Sequence, residues 1–221
     1  MKKLIVIEGT DCSGKETQSK LLEKELLERG EKVVRLSFPM YDTPTGKIVG
    51  GYYLGKPELG ECLFEEGAVN VDPKIACLYY AADRKYNIGK VQDYLEKDYT
   101  VILDRYISSN MAHQGSKIED KDDRFYMYQW IDKLEYWLLD LPKPDITVFL
   151  HMPVEYSLKL RQNRETIDEH EKDENHLRNS EKCYLELAEL YNWKKIECVL
   201  YNEIRSIDDI HNEIMKELAI K

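Results

Sequence analysis

The residues best equipped for chemistry are Glu8-Gly9-Thr10-Asp11-Cys12-Ser13-Gly14-Lys15-Glu16-Thr17-Gln18. Gly9 and Gly14 let a loop curl so that successive backbone N–H groups point inward. The helix that follows adds its positive end, and Lys15 adds a full charge, so the chemistry is the binding of phosphates. One position departs from the Walker A pattern. The residue after Lys15 is Glu16, and the hydroxyl expected there for a magnesium ion arrives one place late, at Thr17.

Asp104-Arg105 is a second cluster, placed directly after the apolar run Thr100–Leu103. An acid at the carboxyl end of a buried parallel strand sits where open α/β sheets bind ligands. In phosphate-loop enzymes that position serves the metal or its waters. The competing role, a cap for a helix starting at Tyr106, is the weaker one beside a phosphate loop. A third group, Cys77, Tyr80, Arg84 and Asn87, recurs at spacings of three and four, which puts an aromatic ring and a guanidinium on one helix stripe. Spacing alone favours a core role for Tyr80 and a solvated charge for Arg84.

Those residues need a frame, and the hydrophobic pattern supplies one. Leu4–Ile7 predicts a buried strand, Lys15–Arg29 a helix stopped by Gly30, and Val33–Phe38 a second strand, together a right-handed parallel crossover. A glycine- and proline-rich stretch then holds one short helix around Gly46–Leu54. Asp72-Pro73 caps a helix running to Glu96, with Ile75, Leu78, Tyr79 and Ala82 as its expected core face. Thr100–Leu103, Asp145–Leu150 and Ile196–Leu200 are the remaining strands. Asp122–Leu141 is a long aromatic-rich helical segment, of the kind used for a core or a subunit interface. Pro153 opens another helix. A strongly acidic stretch at Thr166–Asn175 lacks any apolar period, and a helix resumes from Leu177 to Trp193. Ser206 caps the last helix, with Ile207, Ile210, Ile214 and Leu218 on one face. Five strands alternating with helices give an α/β fold with a doubly wound parallel sheet in a single domain, residues 1–221.

Composition narrows the function classes. The 221 residues, 43% of them hydrophobic, suffice for a sizeable core. A net charge of −10 argues against general binding to nucleic acid or to anionic membranes, but not against a local positive pocket. The cysteines at 12, 62, 77, 183 and 198 form no C-x-x-C pair, which suits a reducing cytoplasm. The apolar run at the start is about four residues long, far short of a signal peptide core or a membrane span. The expectation is a soluble, cytoplasmic protein.

Taken together, the motifs resemble those of thymidylate kinase, in the nucleoside monophosphate kinase group. The loop Glu8–Gln18 is similar to the family's E-G-x-D-x-x-G-K-x-T, and Phe38-Pro39 ends the second strand as in the family. Asp104–Gly115 is similar to D-R-Y-x-x-S-x-x-A-Y-Q-G, and Leu141-Pro142-Lys143-Pro144-Asp145 leads into the fourth strand. The resemblance covers essentially the whole chain. It implies the P-loop nucleoside triphosphate hydrolase type of sheet, a homodimer, and transfer of the γ-phosphate of ATP to dTMP with Mg2+. The nearest competitors are a deoxynucleoside kinase and a non-catalytic nucleotide-binding protein. A signalling GTPase is disfavoured, since the chain has no N-K-x-D segment.

The resemblance also implies roles. Gly9, Thr10, Asp11, Cys12, Ser13, Gly14, Lys15, Glu16 and Thr17 would hold ATP. Asp11 would also reach the sugar and phosphate region of the acceptor, and Arg105 would grip the acceptor phosphate. Asp104 would lie near metal and acceptor. Tyr80 would stack on thymine and Arg84 would reach the base edge, which reverses the reading from spacing. Phe38, Ser109, Asn110, His113 and Gln114 complete the implied dTMP pocket. Thr17 and Asp104 are the implied magnesium contacts.

The chain differs from the family pattern at four places: Glu16, Cys12, Met40-Tyr41 and His113. Cys12 stands where some relatives carry a loop arginine, and relatives without it use a basic residue of the lid. The lid is expected at about residues 161–177, where Arg164 is the chosen transition-state cation over Arg161 and Arg178, and Glu171 is a candidate water or metal contact. His113 stands in place of a frequent tyrosine beside the deoxyribose.

Overall fold

The structure is a computed structural model and describes residues 3–161 and 173–218. Five parallel strands form one sheet in the order β2-β3-β1-β4-β5: β1 (Leu4–Gly9), β2 (Val33–Ser37), β3 (Thr100–Asp104), β4 (Ile146–His151) and β5 (Lys194–Glu197). The doubly wound five-stranded sheet expected from the strand–helix alternation is therefore present. The central strand β1 is buried along its whole length. Its side chains alternate between two cores. Leu4 and Val6 pack on one face with Leu103, Phe149 and Tyr184, while Ile5 and Ile7 pack on the other with Leu22, Val148 and Ile214.

Helices α1 (Lys15–Glu28) and the C-terminal α8 (Ile207–Glu217) cover the second face. The first face carries α3 (Pro73–Glu96), α4 (Ile107–Gly115), α5 (Lys121–Asp132) and α7 (Glu174–Leu190). A short α2 (Pro44–Lys47) continues into a π-helical turn, Ile48–Tyr53, close to the predicted Gly46–Leu54 helix. Between β4 and α7, α6 spans Val154–Arg161. Asp72 and Ser206 cap their helices as the sequence predicts, accepting from backbone N–H groups of the first turn.

Four expectations change. The aromatic segment is α-helical only to Asp132 and then runs as a π-helix over Lys133–Leu138. The fifth strand ends at Glu197, and Val199–Leu200 leaves the sheet to pair antiparallel with Glu203–Ile204. On α3 the expected core face is split: Tyr79 is half-buried and stacks on Tyr53, but Ile75 and Leu78 are half exposed and Ala82 is exposed. The buried stripe is Ala76, Cys77, Ala81, Asp83, Arg84, Asn87, Ile88 and Val91. Small residues there allow close packing against α4, and the polar groups find buried partners, so counting apolar residues picked the wrong side. On α8, Ile207 is likewise exposed while Ile210, Ile214 and Leu218 are buried.

Parallel register brings the chemistry to one edge. Ile7 lies opposite Asp104, and Ser37 pairs with Asp104 on the other side. The loop after β1, the turn after β3 and the end of β2 therefore meet at the carboxyl ends of adjacent strands.

Candidate active site

The loop after β1 takes the shape of a phosphate cradle. Cys12 and Gly14 both adopt left-handed backbone, with φ of 59° and 85°. For Cys12 that conformation is a local strain held by the surrounding fold. A side chain at Gly9 would lie 2.7 Å from the Leu150 carbonyl, so only glycine lets the loop leave β1 against β4. Lys15 is buried in the first turn of α1, and its Nζ donates to the Thr10 carbonyl at 2.6 Å. Burial, aided by the charge of Arg105, lowers the Lys15 pKa to about 8, with Asp11, Asp104 and Glu8 acting the other way. The Ser13 hydroxyl is buried and has no hydrogen-bond partner among the described residues. Glu16 is turned outward, to an exposed pair with Lys20 at 2.6 Å. Thr17 lies exposed beside it on the first turn of α1.

Arg105 stands opposite the loop, also in left-handed backbone at φ 67°. Its Nη2 pairs with Asp11, and its Nη1 faces the hydroxyls of Ser109 and Tyr184, each at 3.3 Å. Beneath it lies Glu8, with no exposed surface. One Glu8 oxygen accepts from the backbone N–H of Tyr106 at 2.9 Å and of Ser109 at 3.1 Å. The other accepts from the Ser109 hydroxyl at 2.7 Å. A carboxylate thus caps the N-terminus of α4 and fixes the turn that carries Arg105. Burial raises the Glu8 pKa, against the pull of Ser109 and the nearby cations.

A cleft runs from Asp11, Arg105 and Ser109 to a mostly apolar end made by Phe38, Leu54, Tyr80, Arg84 and Asn110, with His113 also lining it. Eight of the nine predicted acceptor residues are brought together there, from the loop after β1, the end of β2, α3, the turn after β3 and α4, with Tyr80 and Arg84 from α3 among them. Arg84 is 2% exposed, which overturns the solvated charge favoured by spacing. Its Nε and Nη2 are both taken by Glu135, a fully buried acid from the π-helical turn after α5. Asn110 donates to the same carboxylate at 2.9 Å and to Cys77, while its own carbonyl oxygen Oδ1 is buried without a partner among the described residues. Gln114 does not line the cleft. It is fully buried, and neither of its amide atoms has a partner among the described residues.

Three residues of this site carried no role in the sequence reading: Glu8 as a cap, Tyr184 and Glu135. An acid closing an otherwise apolar strand run was the available signal for Glu8. Nothing near Glu135 or Tyr184 in the chain distinguished either one. Arg164, Arg161 and Glu171 fall at or beyond the edge of the described residues, and the expected lid lies mostly outside them. Arg178 is exposed on α7 and pairs with Glu174 at 2.6 Å.

The thymidylate kinase family model matches residues 7–214. The chain belongs to the thymidylate kinase family. A probable thymidylate kinase of Thermococcus kodakarensis is 33% identical over 217 residues, covering 96% of this chain and 94% of that protein. The thymidylate kinase of Schizosaccharomyces pombe is 28% identical over 214 residues, covering 96% and 90%. Among solved structures, a thymidylate kinase from Candida albicans superposes with a TM-score of 0.73 at 26% identity, covering 99% of this chain and 91% of that one. Its description attributes to that enzyme a broad substrate specificity. Thymidylate kinase membership agrees with the resemblance carried by the four motifs and with the five-stranded sheet. No helix among the described residues is long and apolar enough to cross a membrane.

Proposed function

We propose that the protein transfers the γ-phosphoryl group of ATP to dTMP, giving ADP and dTDP. The observation that carries the choice of acceptor is the polar pair at the apolar end of the cleft. With Nε and one N–H of Nη2 held by Glu135, Arg84 keeps Nη1 and the second Nη2 N–H as donors, and Asn110 Oδ1 is a buried acceptor with no partner among the described residues. Thymine offers the complement, an acceptor at O4 and a donor at N3–H. Cytosine reverses both, and would set an amino group against the guanidinium and a bare N3 against Oδ1. Tyr80 and Phe38 supply flat apolar walls for the ring.

The rest of the cleft suits two anions held in line. Lys15 and the inward N–H groups of Gly9–Gly14 take the donor phosphates. Arg105 takes the acceptor phosphate, where its planar fork can bind two oxygens. An acceptor phosphate oxygen is already anionic, so no general base is assigned. For Mg2+, Asp104, close enough to Lys15 to hold up its charge, is the proposed carboxylate, and the Thr17 hydroxyl on the first turn of α1 the proposed second oxygen, hard donors of the kind that share the ion with phosphates. When bound, Mg2+ would supply neutralisation of the phosphate charge. With Cys12 in the loop, Arg164 is the residue proposed to supply transition-state charge.

A homodimer accompanies this reading, through the outward stripe Ile75, Leu78, Ala82 and Tyr86 on α3. Lys74 packs over Tyr126 and Trp130 of α5, which extends the same face. Sedimentation of Leu78→Glu as a monomer, against a dimeric parent, checks it. The five cysteines are all free, which accords with a cytoplasmic location.

An acceptor panel tests the function. ADP formation is measured with dTMP, dUMP, dCMP and thymidine, and dTMP should far exceed dCMP. Thymidine as the best acceptor would instead indicate a nucleoside kinase.

A further inference from the structure

The apolar end of the cleft has a small core of its own behind it. Val49, Tyr53, Leu54, Ala68, Val71 and Ala76 are buried together, with Phe64, Tyr79 and Tyr80 packed against them. These residues come from the glycine-rich stretch after β2 and from the start of α3, apart from the two cores that flank the sheet. Tyr53 is at the centre. Its ring is fully buried, meets Tyr80 edge-on at 5.7 Å, stacks on Tyr79 at 5.9 Å and meets Phe64 at 6.0 Å. Leu54, the next residue, and Tyr80 are the cleft walls that this core supports.

Lys117 brings a charge into this core. It lies two places beyond the end of α4, the helix that carries Ser109, Asn110 and His113. Its Nζ donates to the carbonyls of Val71 at 2.9 Å and Ala68 at 3.0 Å, and lies 3.4 Å from the Tyr53 hydroxyl. That hydroxyl in turn donates to the Ala68 carbonyl at 3.0 Å. An ammonium has three N–H donors, and here three neutral oxygens meet them. Asp72 is the acid that acts on the Lys117 charge, but its carboxylate caps α3. Burial lowers the Lys117 pKa to about 8. Desolvating a charge against neutral oxygens is a poor source of stability. What these contacts achieve is geometric. They tie a glycine-rich stretch, at Tyr53 and at Ala68 and Val71, to the end of α4.

We propose that Lys117 is a positioning residue for the acceptor base: by pinning Tyr53, Ala68 and Val71 to the end of α4, it sets the spacing between the Tyr80 and Leu54 wall and the Asn110 side of the cleft. The inference rests on the cleft being the acceptor site. Lys117 touches no substrate, and its effect falls on the nucleoside monophosphate rather than on ATP.

A double-mutant cycle read by kinetics tests it. Lys117→Met should raise KM for dTMP about three- to thirtyfold, the size of couplings within one contact network, while kcat and KM for ATP stay within about twofold. In a Tyr80→Ala background, where the wall is already gone, the same substitution should change KM little. An unchanged KM, an equal fall in kcat, or the full effect in the Tyr80→Ala background overturns the proposal. Should Lys117→Met not fold, Tyr53→Phe carries the same test. It deletes one of the three oxygens and keeps the ring, so KM for dTMP should rise by less, and again not after Tyr80→Ala. NMR of the Tyr80 ring in the free protein adds a readout without nucleotide: its resonances should move in Lys117→Met, and resonances that stay still overturn the proposal. A parent protein that neither binds nor phosphorylates dTMP would strike the acceptor reading and the inference with it. A parent active on dTMP, with KM unchanged in the variant, strikes the inference alone.

Discussion

Glu135 holds Arg84 by two donors at once, and neither side chain is more than 3% exposed. The pair crosses from the π-helical turn after α5 to α3, and it leaves Nη1 and the second Nη2 N–H of the guanidinium to meet a base. Glu135→Gln would leave a buried guanidinium without its counter-charge. We expect a loss of stability of about 3–5 kcal/mol, read from urea midpoints, because breaking a buried pair strands the remaining charge. A midpoint within error of the parent would remove Glu135 from this role.

Asn110→Ala removes the unpartnered acceptor while leaving Arg84 with Glu135. The expected result is a fall in kcat/KM for dTMP worth about 1–3 kcal/mol, with a smaller fall for dCMP, so that the preference between them narrows. Equal losses for both nucleotides would place the discrimination elsewhere.

Arg105→Ala should cost about 2–4 kcal/mol in kcat/KM for dTMP, the range for a lost charge-assisted contact to a phosphate. It also releases Asp11 from its partner. An unchanged KM together with unchanged turnover would refute the assignment of the acceptor phosphate to Arg105.

Lys15 gives the pH dependence. Its pKa is about 8 in the free site, and contact with phosphates raises it in the complex. Protonated Lys15 binds ATP more tightly, so affinity is flat below about pH 8 and weakens as pH rises beyond it. Titration of ATP binding between pH 7 and 9.5 should show that break, and Lys15→Met should bind weakly with no break. A break that persists in the variant would belong to another group.

Much of this was visible in the sequence where the responsible residues are contiguous. The cradle from Gly9 to Lys15 and the pair Asp104-Arg105 each follow an apolar strand run, and parallel register brings them together without further information. Arg84 shows the limit. Helical spacing marked it beside Tyr80 but could not tell an exposed charge from a buried one, because its partner lies 51 positions away in an aromatic stretch. The facing of α3 failed for the same reason: the apolar stripe of Ile75, Leu78 and Ala82 points outward because Asp83 and Asn87 have partners inside, with Met40 and Thr45. His113 and His176 are 63 positions apart, and only the folded chain stacks them.

The central claim is that phosphate moves from ATP to the 5′-phosphate of a thymine nucleotide bound in this cleft. 31P NMR of the protein with ATP, Mg2+ and dTMP tests it directly. The account predicts loss of the dTMP signal with matched growth of the two phosphorus signals of dTDP and those of ADP. Formation of ADP and inorganic phosphate with dTMP unchanged, or no turnover at all, would contradict it.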